Sequence, residues 1–137
     1  MKGYSEKDLI RVAKKARESA YSPYSDITVG AALLTRDGRI YTGANIENAS
    51  YGATVCAERV ALYSAIHNGD KSLEAIAIVG AKRGEESRLP FVPCGICRQT
   101  MREFCGGDFK IILESEDGHT VYTLDDLLPH GFGKDLL

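Results

Sequence analysis

The chain has 137 residues, of which 44% are hydrophobic and 26% charged, a composition typical of one globular domain and unlike that of disordered or fibrous chains. Its 17 basic and 19 acidic residues give a net charge of −2, which disfavours binding to nucleic acid or anionic lipid. No apolar stretch approaches the roughly 18 residues of a membrane span, and residues 1–7 lack an apolar signal core. We therefore expect a cytoplasmic protein with reduced thiols and no membrane contact.

The first half of the chain predicts a helix followed by a hairpin. Ser5 and Asp8 form a predicted capping box before a helix over residues 6–19. An Asp-Gly turn at 37–38 joins predicted strands over 29–34 and 40–44. The basic residues of the helix are expected to form a solvated face; they are Lys7, Arg11, Lys14, Lys15 and Arg17.

In the second half, helices and strands are predicted in alternation. A helix over 55–67 has Thr54 as its predicted N-cap, and the apolar run 75–79 predicts a strand buried on both faces. Pro93 is predicted to begin a helix over 94–104, in the first helical position that proline prefers. Strands over 109–113 and 119–123 and a short helix from residue 125 complete the chain. The sum predicts one domain over residues 1–137, a three-layer α/β/α fold with a mixed sheet of about five strands.

The cysteines carry the clearest chemical signal in the chain. Cys94 and Cys97 form a C-x-x-C pair, which is typical of either a redox pair or half of a metal site. Cys56 and Glu58 form a C-x-E motif that ends 36 residues earlier, and both motifs fall at predicted helix starts. A redox pair of this kind usually lies near the first βα unit, whereas this one lies two-thirds of the way along the chain and has Cys56 upstream beside a glutamate, so the pattern indicates a metal rather than a redox pair. Helix N-termini would also favour the thiolate form of the ligands.

Three thiolate ligands would leave one tetrahedral zinc position open, as in catalytic sites. Cys105 could close the site as a fourth ligand, but it lies eight residues beyond Cys97, roughly 12 Å along a helix, and is expected to be a buried or free thiol. Arg59 either offsets the negative charge of the thiolates or is a surface arginine; its spacing alone leaves both alternatives open.

At these residues the sequence resembles the small, homotetrameric, zinc-dependent cytidine deaminases of the cytidine/deoxycytidylate deaminase superfamily. The similarity covers nearly the whole chain, and the asparagine–glutamate loop is its most specific part. The matching segments are 22–25, 29–34, 45–52, 56–59, 93–99, 127–129 and 132–133. The resemblance implies a hydrolase of pyrimidine salvage that converts cytidine and 2′-deoxycytidine to uridine and 2′-deoxyuridine and releases ammonia.

The resemblance also implies a role for each matching site residue. One zinc per subunit would be held by Cys56, Cys94 and Cys97, and the hydroxide that it supplies would attack C4 of the base while Glu58 shuttles protons. Arg59 would neutralise the ligand thiolates. The nucleoside would be bound by the remaining site residues: Asn45 and Glu47 at the ribose 3′-hydroxyl, the Ala57 backbone at the base, Ile27, Tyr51, and Phe132 reaching into a neighbouring subunit's site. The implied partners are the nucleoside and other copies of the chain in a homotetramer, with no nucleic acid.

The sequence departs from the family pattern in one place near the expected base-binding site, and this departure leaves alternative functions open. Ile27-Thr28 stands where the family usually has an aromatic residue and a proline, so stacking area against the pyrimidine is lost. One alternative is therefore a deaminase of modified or antibiotic nucleosides, of the blasticidin type. A polynucleotide deaminase would usually have histidine in place of Cys56 and a basic face. A non-catalytic zinc-binding module would need four ligands and no Glu58.

Overall fold

The computed structural model describes residues 1–137 and contains four helices and one five-stranded sheet. The helices are α1 (Glu6–Arg17), α2 (Ala57–His67), α3 (Gly95–Phe104) and α4 (Leu124–Leu127). The strands are β1 (Ile27–Thr35), β2 (Ile40–Ala44), β3 (Leu73–Lys82), β4 (Lys110–Ser115) and β5 (Gly118–Thr123). Short 3₁₀ turns occur at Tyr51–Ala53 and Lys134–Leu136. None of the helices combines the length and apolar character needed to cross a membrane.

The sheet has the strand order β2-β1-β3-β4-β5 and is mixed, as predicted. Its β3–β4 pair is parallel and its other pairs are antiparallel. The parallel pair needs a crossover, which α3 supplies. β1 pairs with β2 on one side and β3 on the other, so the chain segments that follow β2 and β3 lie at the same end of the molecule.

Two apolar clusters cover the two faces of the sheet and make the fold three layers deep. Residues alternate along β1, so Leu33 lies in the cluster beneath α2 and α3, whereas Leu34 lies in the cluster beneath α1. β3 contributes Ile76 and Ile78 to the first cluster and Ala77 to the second. The predictions of an α/β/α fold and of a central strand buried on both faces are confirmed.

The starts of α2 and α3 differ from their predicted positions. α2 begins at Ala57 with Cys56 as its N-cap, so the prediction of Thr54 as N-cap is wrong. Thr54 instead ends the preceding 3₁₀ turn, and its hydroxyl accepts a hydrogen bond from the Asn48 backbone N–H at 3.1 Å. α3 begins at Gly95 with Cys94 as its N-cap, so Pro93 precedes the cap rather than occupying the first helical position.

The prediction that Arg17 belongs to the solvated face of α1 is wrong. Its guanidinium donates to both the carbonyl (2.9 Å) and the hydroxyl (2.7 Å) of Thr28, at the start of β1. It also donates to the carbonyls of Lys82 (2.8 Å) and Glu85 (2.7 Å), where the chain leaves β3. Arg17 therefore joins α1 to the ends of two strands.

Candidate active site

The three predicted metal ligands lie together at the N-termini of two helices. The Sγ atoms of Cys56, Cys94 and Cys97 all lie within 4.8 Å of one another. Cys56 and Cys94 are the N-cap residues of α2 and α3, and neither side chain makes the usual cap hydrogen bond. Their sulfurs therefore face the space between the two helix ends rather than the backbone of their own helix.

The geometry and charge of this cluster fit zinc. Sulfurs at opposite ends of one edge of a tetrahedral zinc–thiolate site are roughly 3.8 Å apart, and the Cys56 and Cys94 Sγ atoms are 3.7 Å apart. Two helix N-termini point at the cluster and favour negative charge there. A hydrogen bond from Cys97, with others from Arg59 and Cys94, lowers the pKa of Cys56 to about 5. Thiolate is the form that binds a metal.

Glu58 is the acidic group of the cluster and lies in the first turn of α2. Its side chain is buried, with 3% of the residue exposed, and burial raises its pKa to about 7. A capping carboxylate at a helix surface would have no such shift. A carboxyl group that changes protonation near neutral pH is suited to general acid–base catalysis.

Arg59 contacts the cluster directly. Its Nη2 atom donates to Cys56 Sγ at 3.5 Å, and its Nε atom is buried without a protein hydrogen-bond partner. Arg59 is partly buried, and a guanidinium beside thiols is placed to offset part of the negative charge of thiolates. Arg59 therefore lies beside the thiol cluster.

Asn45 lies beside the start of β1 and is buried. Its Oδ1 atom accepts from the Val29 N–H at 2.8 Å, and its Nδ2 atom donates to the Ile27 carbonyl at 2.9 Å. Half of the amide's hydrogen-bonding capacity is thus used on the strand, and one N–H and one lone pair are left over. Two backbone hydrogen bonds between Ile46 and Val55, each of 3.0 Å, place this segment next to Cys56.

Glu47 and Tyr51 share an open recess with Tyr24, Ser25 and Thr54 that has a volume of about 360 Å³. The Glu47 carboxylate accepts from the backbone N–H groups of Tyr24 (3.0 Å) and Ser25 (3.1 Å) and from the Ser25 hydroxyl. The Ser25 hydroxyl hydrogen bond is the main cause of the lowered pKa of Glu47. The rings of Tyr24 and Tyr51 meet edge to face, with centroids 6.0 Å apart.

Phe132 and Cys105 are not members of the thiol cluster. Phe132 is 56% exposed, and its contact is through the backbone, where its carbonyl accepts from Gln99 Nε2 at 2.8 Å. Cys105 is the C-cap of α3, is buried, and makes no disulfide. Burial raises the pKa of Cys105 to about 12, so this thiol is unreactive as well as remote from the N-terminal end of the helix.

Comparison with known proteins places this arrangement in a family. A sequence model of the cytidine and deoxycytidylate deaminase zinc-binding region matches residues 4–113, which include all three clustered thiols and Glu58. The chain belongs to this family. The resemblance inferred from the sequence motifs is confirmed.

Individual members of this family resemble the chain along nearly all of its length. A cytidine deaminase of Sporosarcina psychrophila is 47% identical over 128 residues, which cover 93% of this chain and 90% of the relative. One from Halalkalibacterium halodurans is 49% identical over 125 residues, covering 90% and 91% of the two chains. The crystal structure of cytidine deaminase from Burkholderia pseudomallei superposes with a TM-score of 0.85 at 45% identity, covering 94% of this chain and 100% of that one.

Two residues that support the site were not predicted to do so. Arg98, within the family motif, donates to the carbonyl of Pro93 (2.7 Å) and to that of Leu127 (2.7 Å), so it ties the turn that carries Cys94 to α4. Ser25 holds Glu47 and also accepts from the Ile27 N–H at 3.0 Å. Both residues lie in motifs that carry the family resemblance, but their partners are distant in sequence or belong to the backbone, and spacing alone does not identify them.

Proposed function

We propose that this protein is a zinc-dependent cytidine deaminase that hydrolyses cytidine and 2′-deoxycytidine to uridine and 2′-deoxyuridine with release of ammonia. The observation that carries this proposal is the meeting of three thiols at the N-termini of α2 and α3, with the buried carboxyl of Glu58 beside them in the first turn of α2. The activity named for the similar proteins agrees with it. Residues 1–137 would act as a single catalytic domain.

In this proposal Cys56, Cys94 and Cys97 hold zinc, and Glu58 moves the protons. Zinc held by three protein ligands would keep one coordination position open for water, and it would lower the pKa of that water to near neutrality. Glu58, with its pKa near 7, accepts a proton from the water that attacks C4 and donates it to N3 of the base. It then carries the second proton to the departing amine, so that water and cytidine give uridine and ammonia. Arg59 keeps Cys56 in its thiolate form.

The remaining predicted residues would bind the nucleoside. Asn45 has one unused N–H and one unused lone pair, and Glu47 lines an open recess, which supports a role for both at the ribose 3′-hydroxyl. The Ala57 backbone, at the first turn of α2, would contact the base. Ile27 and Tyr51 would form apolar walls around the nucleoside, with Ile27 providing less stacking area than an aromatic residue.

We also propose a homotetramer in the cytoplasm, with active sites shared between subunits. The exposed ring of Phe132 lies on a segment that Gln99 fastens to α3, which suits a side chain offered to a neighbouring copy. Four cysteines without a disulfide suit a reducing compartment.

The test follows the ultraviolet absorbance change when zinc-loaded protein is mixed with cytidine or 2′-deoxycytidine, with Glu58→Gln as the matched variant. We expect rapid conversion by the wild type and a loss of about 10²–10⁴-fold in the variant. Zinc content is measured in both proteins and should be one per subunit. A folded, zinc-loaded wild type that converts neither nucleoside would refute the proposal.

Two alternatives have distinct outcomes in the same assay. Conversion of a modified nucleoside without conversion of cytidine would favour the blasticidin type and would assign the difference to Ile27. Zinc binding with no conversion of any nucleoside, and with no effect of Glu58→Gln, would favour a non-catalytic zinc-binding module.

A further inference from the structure

A surface arginine is connected to the proposed nucleoside site through one turn of the backbone. The turn covers residues 22–26 and is closed by a hydrogen bond from the Asp26 N–H to the Ser22 carbonyl at 3.0 Å. Its inner residues, Tyr24 and Ser25, present two backbone N–H groups and a hydroxyl to the Glu47 carboxylate. The orientation of Glu47 therefore depends on the shape of this turn.

Arg83 holds both ends of the turn. Its Nη2 atom donates to the Ser22 hydroxyl at 2.8 Å, and its Nε atom donates to Asp26 Oδ1 at 3.1 Å. Its backbone N–H donates to the Asp26 carbonyl at 2.8 Å. The planar guanidinium fork suits such a double contact, and a lysine could not reproduce it.

The contact matters because the turn is strained at one end and buried at the other. Asp26 has a φ of +61°, in the left-handed region that residues other than glycine adopt infrequently. Ser22 is 1% exposed, and without Arg83 its hydroxyl would lose this donor. The Arg83–Asp26 ion pair itself is about half exposed and contributes little through charge alone.

The chain segment that carries Arg83 is itself fixed. Arg17 donates to the carbonyls of Lys82 and Glu85, on either side of Arg83, and to Thr28 on the neighbouring strand. Arg83 therefore projects from an anchored backbone toward the turn.

We propose that Arg83 is a positioning residue for nucleoside binding, which it serves by bracing the 22–26 turn so that Glu47 meets the ribose 3′-hydroxyl. This inference rests on the proposed function, because it takes Glu47 to contact the ribose. Arg83 touches neither the zinc ligands nor Glu58, so it acts on binding and not on the chemical step.

The test compares Arg83→Gln, Arg83→Lys and the control Arg88→Gln, using cytidine and 3′-deoxycytidine as substrates. Arg88 lies in the same segment, is 72% exposed on its side chain, and pairs only with Glu86 at 3.8 Å. We expect both Arg83 variants to raise KM for cytidine about three- to tenfold while kcat and zinc content stay unchanged. KM for 3′-deoxycytidine, which lacks the hydroxyl, should not rise, and Arg88→Gln should resemble the wild type.

Three results would overturn the inference while leaving the proposed function intact. The first is an unchanged KM for cytidine in Arg83→Gln, and the second is an equal rise in KM for cytidine and 3′-deoxycytidine. The third is a wild-type KM for cytidine in Arg83→Lys, because it would show that only the charge of Arg83 matters. A fall in kcat together with lost zinc would indicate a general structural role and would also overturn it. A wild type that does not convert cytidine overturns the proposed function, and this inference with it.

Discussion

Gly43 lies in β2 against α2 and allows the helix to approach the sheet closely. We expect Gly43→Ala to push α2 away from the sheet and so to disrupt the zinc site at the start of that helix. A Cβ at residue 43 would lie 2.3 Å from the Ala57 carbonyl oxygen and 2.7 Å from the Ala61 nitrogen, whereas ordinary contact begins at 3.4 Å. Helix α2 must therefore retreat by about 1 Å, since both close atoms are backbone. Such overpacking costs about 1–3 kcal/mol of stability.

The same displacement moves Cys56 and Glu58, which flank Ala57. Zinc sites tolerate deviations of about 0.2 Å in ligand distance, so a shift of about 1 Å should weaken zinc binding. A misplacement of this size can also cost about 10²-fold in rate. Zinc affinity is measured by competition with a chromophoric chelator, and the rate is measured as kcat for cytidine. Both measurements are made at a temperature at which unfolding curves show the variant to be folded.

Gly30→Ala provides the matched comparison, because Gly30 allows a similarly close approach between the sheet and α1, on the face of the sheet opposite α2. Its Cβ would lie 2.0 Å from the Ala13 carbonyl oxygen, in α1. We expect a comparable loss of stability with wild-type zinc affinity. If Gly43→Ala keeps wild-type zinc affinity, or if Gly30→Ala loses as much, the reasoning from the α2 contact is wrong.

Three further predictions concern protonation, thiol reactivity and assembly. Because burial raises the pKa of Glu58 from 4.5 to about 7, the folded state binds more protons between these values, and the metal-free wild type loses stability as pH rises through this window. Urea denaturation should therefore show Glu58→Gln to be more stable than the wild type by about 3 kcal/mol near pH 8, an advantage that disappears below about pH 4.5; equal stability near pH 8 would contradict the assignment. After chelation, Cys56 and Cys94 should react rapidly with a thiol reagent while the buried Cys105 stays slow, and equal rates in a mass-spectrometric time course would argue against this. Mixed tetramers of Phe132→Ala and Glu58→Gln should regain cytidine conversion, because some sites would combine an intact Glu58 with a neighbour's Phe132; no recovery would speak against shared sites.

The regular elements could be predicted because their signals are local. The Asp-Gly turn at 37–38 and the apolar run at 75–79 each reflect a few consecutive residues, and the structure places a hairpin and a doubly buried strand there. The start of α2 could not be predicted in this way. Statistical preference favours threonine over cysteine as an N-cap, but here the cap position holds the side chain that joins the thiol cluster.

The candidate site was predictable in its residue types but not in its supporting contacts. The C-x-E and C-x-x-C motifs indicated the thiol cluster because both begin at the N-terminus of a predicted helix. The partners of Arg17 lie 11 to 68 residues away, and those of Arg83 lie 57 and 61 residues away along the chain. An arginine on an amphipathic helix carries no local mark of such distant carbonyl partners, so its role follows only from the tertiary structure.

The placement of the cluster also determines when it can form during synthesis. Cys56 follows β2 and Cys94 follows β3, and their thiols meet because β1 pairs with both strands. A growing chain that ends before α3 has one helix start with a lone cysteine and no partner for it. Metal capture must therefore come after β1 has paired with both β2 and β3, so zinc uptake by a newly made chain would report that these two pairings have formed.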